Sequence, residues 1–275
     1  MKSRLTQLFV VIVMITMFGC GGNKKAEINQ LPDLGGKVMG MLTTGISNEG
    51  VDKMIENLIG APAKEVVYFN RGMDILTALK TGKVDAIPMH QFAADYLLKR
   101  NEDLKSIPVN QEFEGGVIMA VRAEDEPLKL ALDSAIMVLK ENGTLKALED
   151  EWITNLPATN EPSNTEIAKI EGAKTVYVGV SGDYPPLDYV AADGMPAGFN
   201  VAILSEIGKV LNVNFEFVSM ETQARFAALS SKKIDVIFCH FESGNTSYFD
   251  DLKTNNWVST IPYFTYKSGC FVVMK

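Results

Sequence analysis

The chain has little with which to do redox or metal chemistry: three cysteines and two histidines in 275 residues, no Cys-x-x-Cys, and His90 and His240 far apart in sequence. A metal centre, which needs several such ligands at short spacing, is not expected, and neither is a cofactor. Positive charge is also scarce. Lys and Arg total 26 against 34 Asp and Glu, the net charge is -8, and no basic run exceeds two residues. The clustered basic surface that a nucleic-acid partner demands is therefore missing. Long apolar runs are rare as well, the one at Leu8 to Phe18 being too short to span a bilayer comfortably. What is present is 47% hydrophobic residues, enough for one large core or two modest ones and too many for a disordered chain.

Two segments nearly repeat each other 150 positions apart, Ala78-Leu-Lys-Thr-Gly-Lys-Val-Asp85-Ala-Ile87 and Ala228-Leu-Ser-Ser-Lys-Lys-Ile-Asp235-Val-Ile237. Each reads as the end of an amphipathic helix, a tight polar turn and a β-branched strand with an Asp near its start. Two similar α/β halves follow, an arrangement suited to enclosing a small ligand in the cleft between them. Around the first copy, Lys37 to Leu42 and Val66 to Phe69 read as strands, Val51, Met54, Ile55, Leu58 and Ile59 as a helix stripe, and Gln91 to Lys99 as a helix. Around the second, strands are expected at Thr175 to Val180, Phe215 to Val218 and Cys270 to Met274, with a helix bearing Val201, Leu204, Ile207 and Leu211. This alternation predicts mostly parallel sheets covered by helices.

At the N-terminus, Lys2 and Arg4 precede the short apolar run, which ends at Gly19-Cys20-Gly21. The pattern reads as a secretory signal. A small residue directly before a Cys resembles the bacterial lipobox, although Met17 and Phe18 depart from its usual residues; plain cleavage or a retained anchor are the alternatives. On this reading residues 1–19 are a lipoprotein signal peptide, Cys20 is acylated, and 20–30 form a tether. Two acyl chains suffice for stable anchoring. Cys239 and Cys270 lie in apolar strand-like runs and read as buried free thiols, a disulfide being the alternative.

The run Val178-Gly-Val-Ser-Gly-Asp183-Tyr184-Pro-Pro-Leu-Asp188-Tyr189, then Gly198-Phe-Asn-Val201, Arg225-Phe-Ala-Ala-Leu229 and Ile261-Pro-Tyr-Phe264, resembles the opening of the solute-binding proteins of amino-acid-type ABC transporters. Leu34-Gly-Gly-Lys37, the Leu79 to Ala86 unit and Asn142-Gly-Thr-Leu145 ahead of Trp152 resemble the later part of that family. The resemblance implies an α/β, two-lobed, type II periplasmic-binding-protein-like fold, but with the later part first. A circular permutant is expected: a smaller lobe at 31–113, a larger one at 114–153 plus 174–275, and a linker at 154–173 joining the ancestral termini. Gly116 to Arg122 and Phe271 to Met274 would be paired hinge strands, only the first joining the lobes covalently, which predicts a loose hinge. The permutant is preferred over a fragment, or a misassembled tandem of two incomplete copies, because lobe material begins soon after Cys20 and Lys275 stops about where Leu31 would need to resume.

The resemblance also implies ligand-binding residues. Tyr184 would be the stacking aromatic, with Asp183 beside it a polar contact. Thr222-x-x-Arg225 resembles the Ser-x-x-Arg of the acidic-amino-acid branch, where a guanidinium fork holds a carboxylate; a solvated helix arginine is the alternative. Thr44 and Ser47 run from a strand into a helix start, where amides and hydroxyls could grip an anion, or where Ser47 is simply a cap. Two departures stand out. The family's Thr-x-x-Arg after the second repeat is absent from the stretch Cys239 to Thr246, and its usual Asp beyond the first repeat is replaced by Met89-His90-Gln91. His90, His240 and Glu242 could line the cleft instead.

The expected function is that of an extracytoplasmic, lipid-anchored, monomeric receptor. It would bind an amino-acid-like or small carboxylate ligand and hand it to a membrane permease. A sensor without transport, and a dehydratase using Glu242 as general acid, are the alternatives; the chain is not expected to be an enzyme, since no nucleophile-base pair is visible.

Overall fold

The computed structural model describes residues 27–43, 46–111, 114–159, 167, 169–243 and 256–275. Cys20 and Thr44 lie outside the described residues, as does most of the expected linker. After a 3-10 turn at Leu31–Leu34 come β1 (Val38–Leu42), α1 (Asn48–Ile59), β2 (Glu65–Phe69), α2 (Gly72–Lys80), β3 (Ile87–His90), α3 (Gln91–Leu98) and β4 (Leu104–Pro108). There follow β5 (Gly115–Arg122), α4 (Glu126–Glu141), α5 (Thr144–Glu149), a π-helical turn at Asp150–Thr154, β6 (Lys174–Val180), β7 (Asp183–Tyr184), β8 (Asp188–Val190) and β9 (Pro196–Ala197). The chain continues through α6 (Phe199–Leu211), β10 (Val213–Ser219), α7 (Ala224–Ser230), β11 (Val236–Ser243), β12 (Trp257–Ser259), β13 (Phe264–Tyr266) and β14 (Gly269–Met274). Among the described residues no helix is long and apolar enough to cross a membrane.

The helix α1 shows how local sequence sets these boundaries. Ser47 accepts a hydrogen bond from the Gly50 amide, Val51, Ile55 and Ile59 bury one stripe, and Gly60 ends the helix at a φ of 76°. A left-handed residue of that kind suits glycine, which has no Cβ to clash.

Apart from a small antiparallel sheet of β7, β8 and β9, the strands fall into two groups of matching plan, one in each lobe. In the smaller lobe β1 pairs with β2 in parallel, a bridge from Met39 to Ala86 links β1 to the approach to β3, and β14 lies between β3 and β4. In the larger lobe the order is β10-β6-β11-β5-β12, with β13 also on β5. Each group thus has its first strand between its second and third, and an antiparallel strand, β14 or β5, beside the third.

This plan corrects two expectations. Gly269–Met274 was expected in the larger lobe, but β14 belongs to the smaller one: Phe271 and Val273 pack with Met39 and Ile55, and Cys270 and Val272 with Leu79 and Ala94. Nor do β5 and β14 pair as hinge strands. Each is drawn into a different sheet by the burial of its two faces, and the chain crosses between the lobes twice, between Pro108 and Gly115 and between Tyr266 and Gly269. A hinge held by one covalent connection, and the looseness expected of it, does not follow.

The two repeat copies perform the same task. Asp85 accepts a hydrogen bond from the Val38 amide through Oδ2 at 2.9 Å, and Asp235 accepts one from the Tyr177 amide through Oδ2 at 3.0 Å. In both, the Asp amide returns a bond of 2.8 Å to the same partner's carbonyl. The Asp therefore fastens each helix-turn-strand unit to the first strand of its own sheet. Cys239 and Cys270 are buried free thiols, and burial pushes both up to about 12.

Candidate functional site

Where the lobes meet, β3 of one ends on His90 and β7 of the other on Tyr184. Nδ1 of His90 lies 2.6 Å from the Tyr184 hydroxyl. The two groups share one proton-bridged contact, whose donor is set by the imidazole tautomer. The imidazole lies between two nearly parallel rings, Phe241 at 4.6 Å and 12° and Phe92 at 5.6 Å and 7°. The Tyr266 ring crosses it at 60°, with centroids 4.2 Å apart. Desolvation by this packing lowers His90 to about 4, so the ring is neutral at physiological pH.

Asp183 makes the second contact across the cleft. Its Oδ2 accepts a long hydrogen bond, 3.4 Å, from the amide of Gly72 at the start of α2. The two backbones approach so closely that a Cβ on Gly72 would sit 2.7 Å from the Asp183 carbonyl oxygen. A third set of contacts joins α3 to the segment after the π-helical turn: Lys99 donates to the Leu156 carbonyl at 2.9 Å and Arg100 to that of Pro157 at 2.8 Å. Beside this seam runs a groove of about 570 Å³ lined by Phe92, Asp95, Leu98, Lys99, Ile153 and Thr154. Phe92 belongs both to the groove and to the ring stack.

The other expected site residues are placed elsewhere. Arg225 is not a solvated helix arginine: it is buried in the larger lobe, giving Nη1 to the Phe238 carbonyl at 2.6 Å and Nε to that of Thr222 at 3.3 Å. Thr222 thus serves it through its backbone. Close by, Asp188 accepts bonds from the Ser181 and Gly182 amides, each 3.0 Å. Burial raises its carboxyl, while those amides and the Arg225 charge pull it back. His240 does not join His90, because neighbours in a strand face opposite ways. It packs edge-on against Phe226 and Trp257, and burial with the nearby Arg225 charge lowers it to about 4. Ser47 is exposed and caps α1. The Glu242 backbone, in β11, pairs with Gly116 of β5, and its side chain is outside the described residues.

Sequence reasoning did not single out Phe92, Phe241, Tyr266 or Gly72. Two signals were available: Phe92 stands two residues beyond His90, and Phe241 is the strand neighbour of His240 and so had to face the other way.

The profile of the family described as bacterial extracellular solute-binding proteins, family 3, matches residues 176–245, and that described as NMT1/THI5 like matches residues 7–111. The chain is 29% identical over 133 residues to the arginine-binding extracellular protein ArtP of Bacillus subtilis, covering 48% of this chain and 50% of that one. It is 33% identical over 69 residues to the L-cystine-binding protein TcyJ of Escherichia coli, covering 25% and 26%. The chain thus spans half the length of these relatives or less. Among solved structures, the GluR0 ligand-binding core in complex with L-glutamate is similar at 11% identity and a TM-score of 0.42, over 87% of this chain and 84% of that one. One profile thus falls in the larger lobe and the other over the smaller, and over part of its length the chain is similar to solute-binding proteins named for the amino acids they bind.

Proposed function

We propose that the protein is an extracytoplasmic receptor, lipid-anchored through Cys20, that captures a small amino-acid-like or carboxylate solute between its lobes and delivers it to an ABC permease. The observation that carries this is the seam itself. His90 and Phe92 of the smaller lobe meet Tyr184, Phe241 and Tyr266 of the larger one, so both halves contribute side chains to one enclosed place. Closure on a solute puts its recognition groups into such a dry, two-sided site. We read the chain as a binder rather than a catalyst, because His90 and His240 are packed among rings and lowered to about 4, which makes both poor bases at neutral pH.

The lobe order supports a circular permutation. The alternation that opens related chains begins here at β6, after the other lobe has been built. The remaining divisions are a signal peptide at 1–19, a tether at 20–30 and a linker at 154–173, with β14 counted in the smaller lobe. The test is thermal shift and titration calorimetry over amino acids, dicarboxylates and short peptides. A true ligand at a hundred times its dissociation constant stabilises by about 2.7 kcal/mol; no stabilisation by any of them would defeat the proposal.

A further inference from the structure

We infer that the larger lobe carries a slot for a planar, neutral nitrogen heteroaromatic ring, and that the His90 side chain of the smaller lobe occupies it as a built-in surrogate. The inference deepens the receptor reading above and rests on it: the solute would present such a ring. Consider the imidazole as though it were a guest. The larger lobe offers it the face of Phe241 at 4.6 Å, the crossed ring of Tyr266 at 4.2 Å and the Tyr184 hydroxyl at 2.6 Å from a ring nitrogen. These are the complements of a flat π surface with one in-plane nitrogen: a stacked face, a steeply crossed neighbouring ring and a single hydroxyl as hydrogen-bond partner.

An aliphatic chain would leave the Tyr184 hydroxyl unpaired, and a cation would be desolvated among the surrounding rings. When the lobes part, His90 leaves with β3 while Tyr184, Phe241 and Tyr266 stay on the larger lobe. A solute ring then takes the vacated place, and the groove ending at Phe92 gives the rest of the molecule room. His90 and solute therefore compete, and removing His90 should favour the guest.

The test uses imidazole as the probe on the His90→Ala protein. Imidazole at millimolar concentration should raise its melting temperature and bind with one-to-one stoichiometry, whereas acetate and ammonium should not. Adding Tyr184→Phe should weaken imidazole binding about tenfold, the loss of one hydrogen bond from a buried site. His90→Phe, which keeps the slot filled, should be insensitive to imidazole. If His90→Ala refolds only poorly, its folded yield should rise with imidazole in the refolding buffer and not with acetate. Equal response to imidazole and acetate, or no response in yield or melting, overturns the slot. The two readings fail separately. Amino acids that stabilise the unmodified protein alongside a silent His90→Ala would sink the slot and keep the receptor, and the converse result would keep the slot alone.

Discussion

Nδ1 of His90 lies 2.6 Å from the hydroxyl of Tyr184, and the two residues, 94 positions apart, reach that point from different lobes. The bond is made between uncharged groups in a ring-lined setting, where a hydrogen bond is strengthened by the low local dielectric and a lone charge is penalised. It gives the closed arrangement one directional polar contact, and the surrounding rings supply the area.

The Asp183–Gly72 contact leaves no room for a methyl group, since a Cβ on Gly72 would fall 2.7 Å from a backbone oxygen. Gly72→Ala is expected to push the lobes apart without disturbing either core. Small-angle scattering should show a larger radius of gyration than in the unmodified protein, with secondary structure by circular dichroism unchanged. An unaltered radius would mean that the close approach is not a constraint on closure.

Both histidines are lowered from an ordinary value near 6.5 to about 4 in the folded protein. The unfolded chain therefore binds the extra protons first. Their contribution to stability is complete above pH 6.5 and is lost as pH falls from 6.5 to 4, by about 2 to 3 kcal/mol for each histidine. His90 faces the Tyr184 hydroxyl and the Tyr266 ring, and His240 the charge of Arg225. Asp188, raised by burial, acts in the opposite sense above its ordinary value. Urea midpoints at pH 7.5 and 4.5 should differ markedly, and the difference should shrink in His90→Phe. A midpoint independent of pH over this range would refute the histidine linkage.

Asp85 and Asp235 hold their strands alike, but Asp235 also accepts from Nη2 of the buried Arg122 at 2.8 Å. Asp235→Ala removes one of that guanidinium's two carboxylates, the other being Asp125. It is expected to cost about 3 kcal/mol, whereas Asp85→Ala should cost about 1.5 kcal/mol, the value of a charge-assisted hydrogen bond. Urea unfolding of the two variants decides it. Equal losses would show that Arg122 gains little from Asp235.

A permuted chain should tolerate being returned to the common order. Lys275 bonds the Asp103 carbonyl through its amide at 2.9 Å, and Asn29 meets Lys105 Nζ at 2.6 Å, so both ends of the proposed junction sit at the start of β4. A chain running from 174 to 275, through a short Gly-Ser linker, and on from 27 to 159 should unfold cooperatively within a few degrees of the original. Failure to form a cooperative fold would count against permutation.

The periodic stripes of α1 and α6 and the β-branched runs of β6 and β14 made the α/β alternation legible in the sequence, because each buries one face or both. The duplicated Asp was legible too, though its strand-fastening task was not. What could not be read was sheet membership. An all-buried strand such as β14 looks the same whichever sheet receives it, so Phe271 and Val273 gave no sign of joining the smaller lobe. The site was legible in part. Tyr184 and His90 stood beyond recognisable strands, but Arg225 showed nothing of its burial beneath the Phe238 carbonyl, and Gly72 owes its role to a neighbour more than a hundred residues away.

Because the chain has only two histidines, ring-nitrogen NMR of histidine-labelled protein tests the central claim most directly. A solute that stabilises the protein and binds in the interlobe seam must displace or repack His90, so at saturation the His90 ring signals should shift while those of His240, packed on Phe226 and Trp257, stay in place. Saturating binding that leaves His90 unmoved would contradict capture between the lobes at this site.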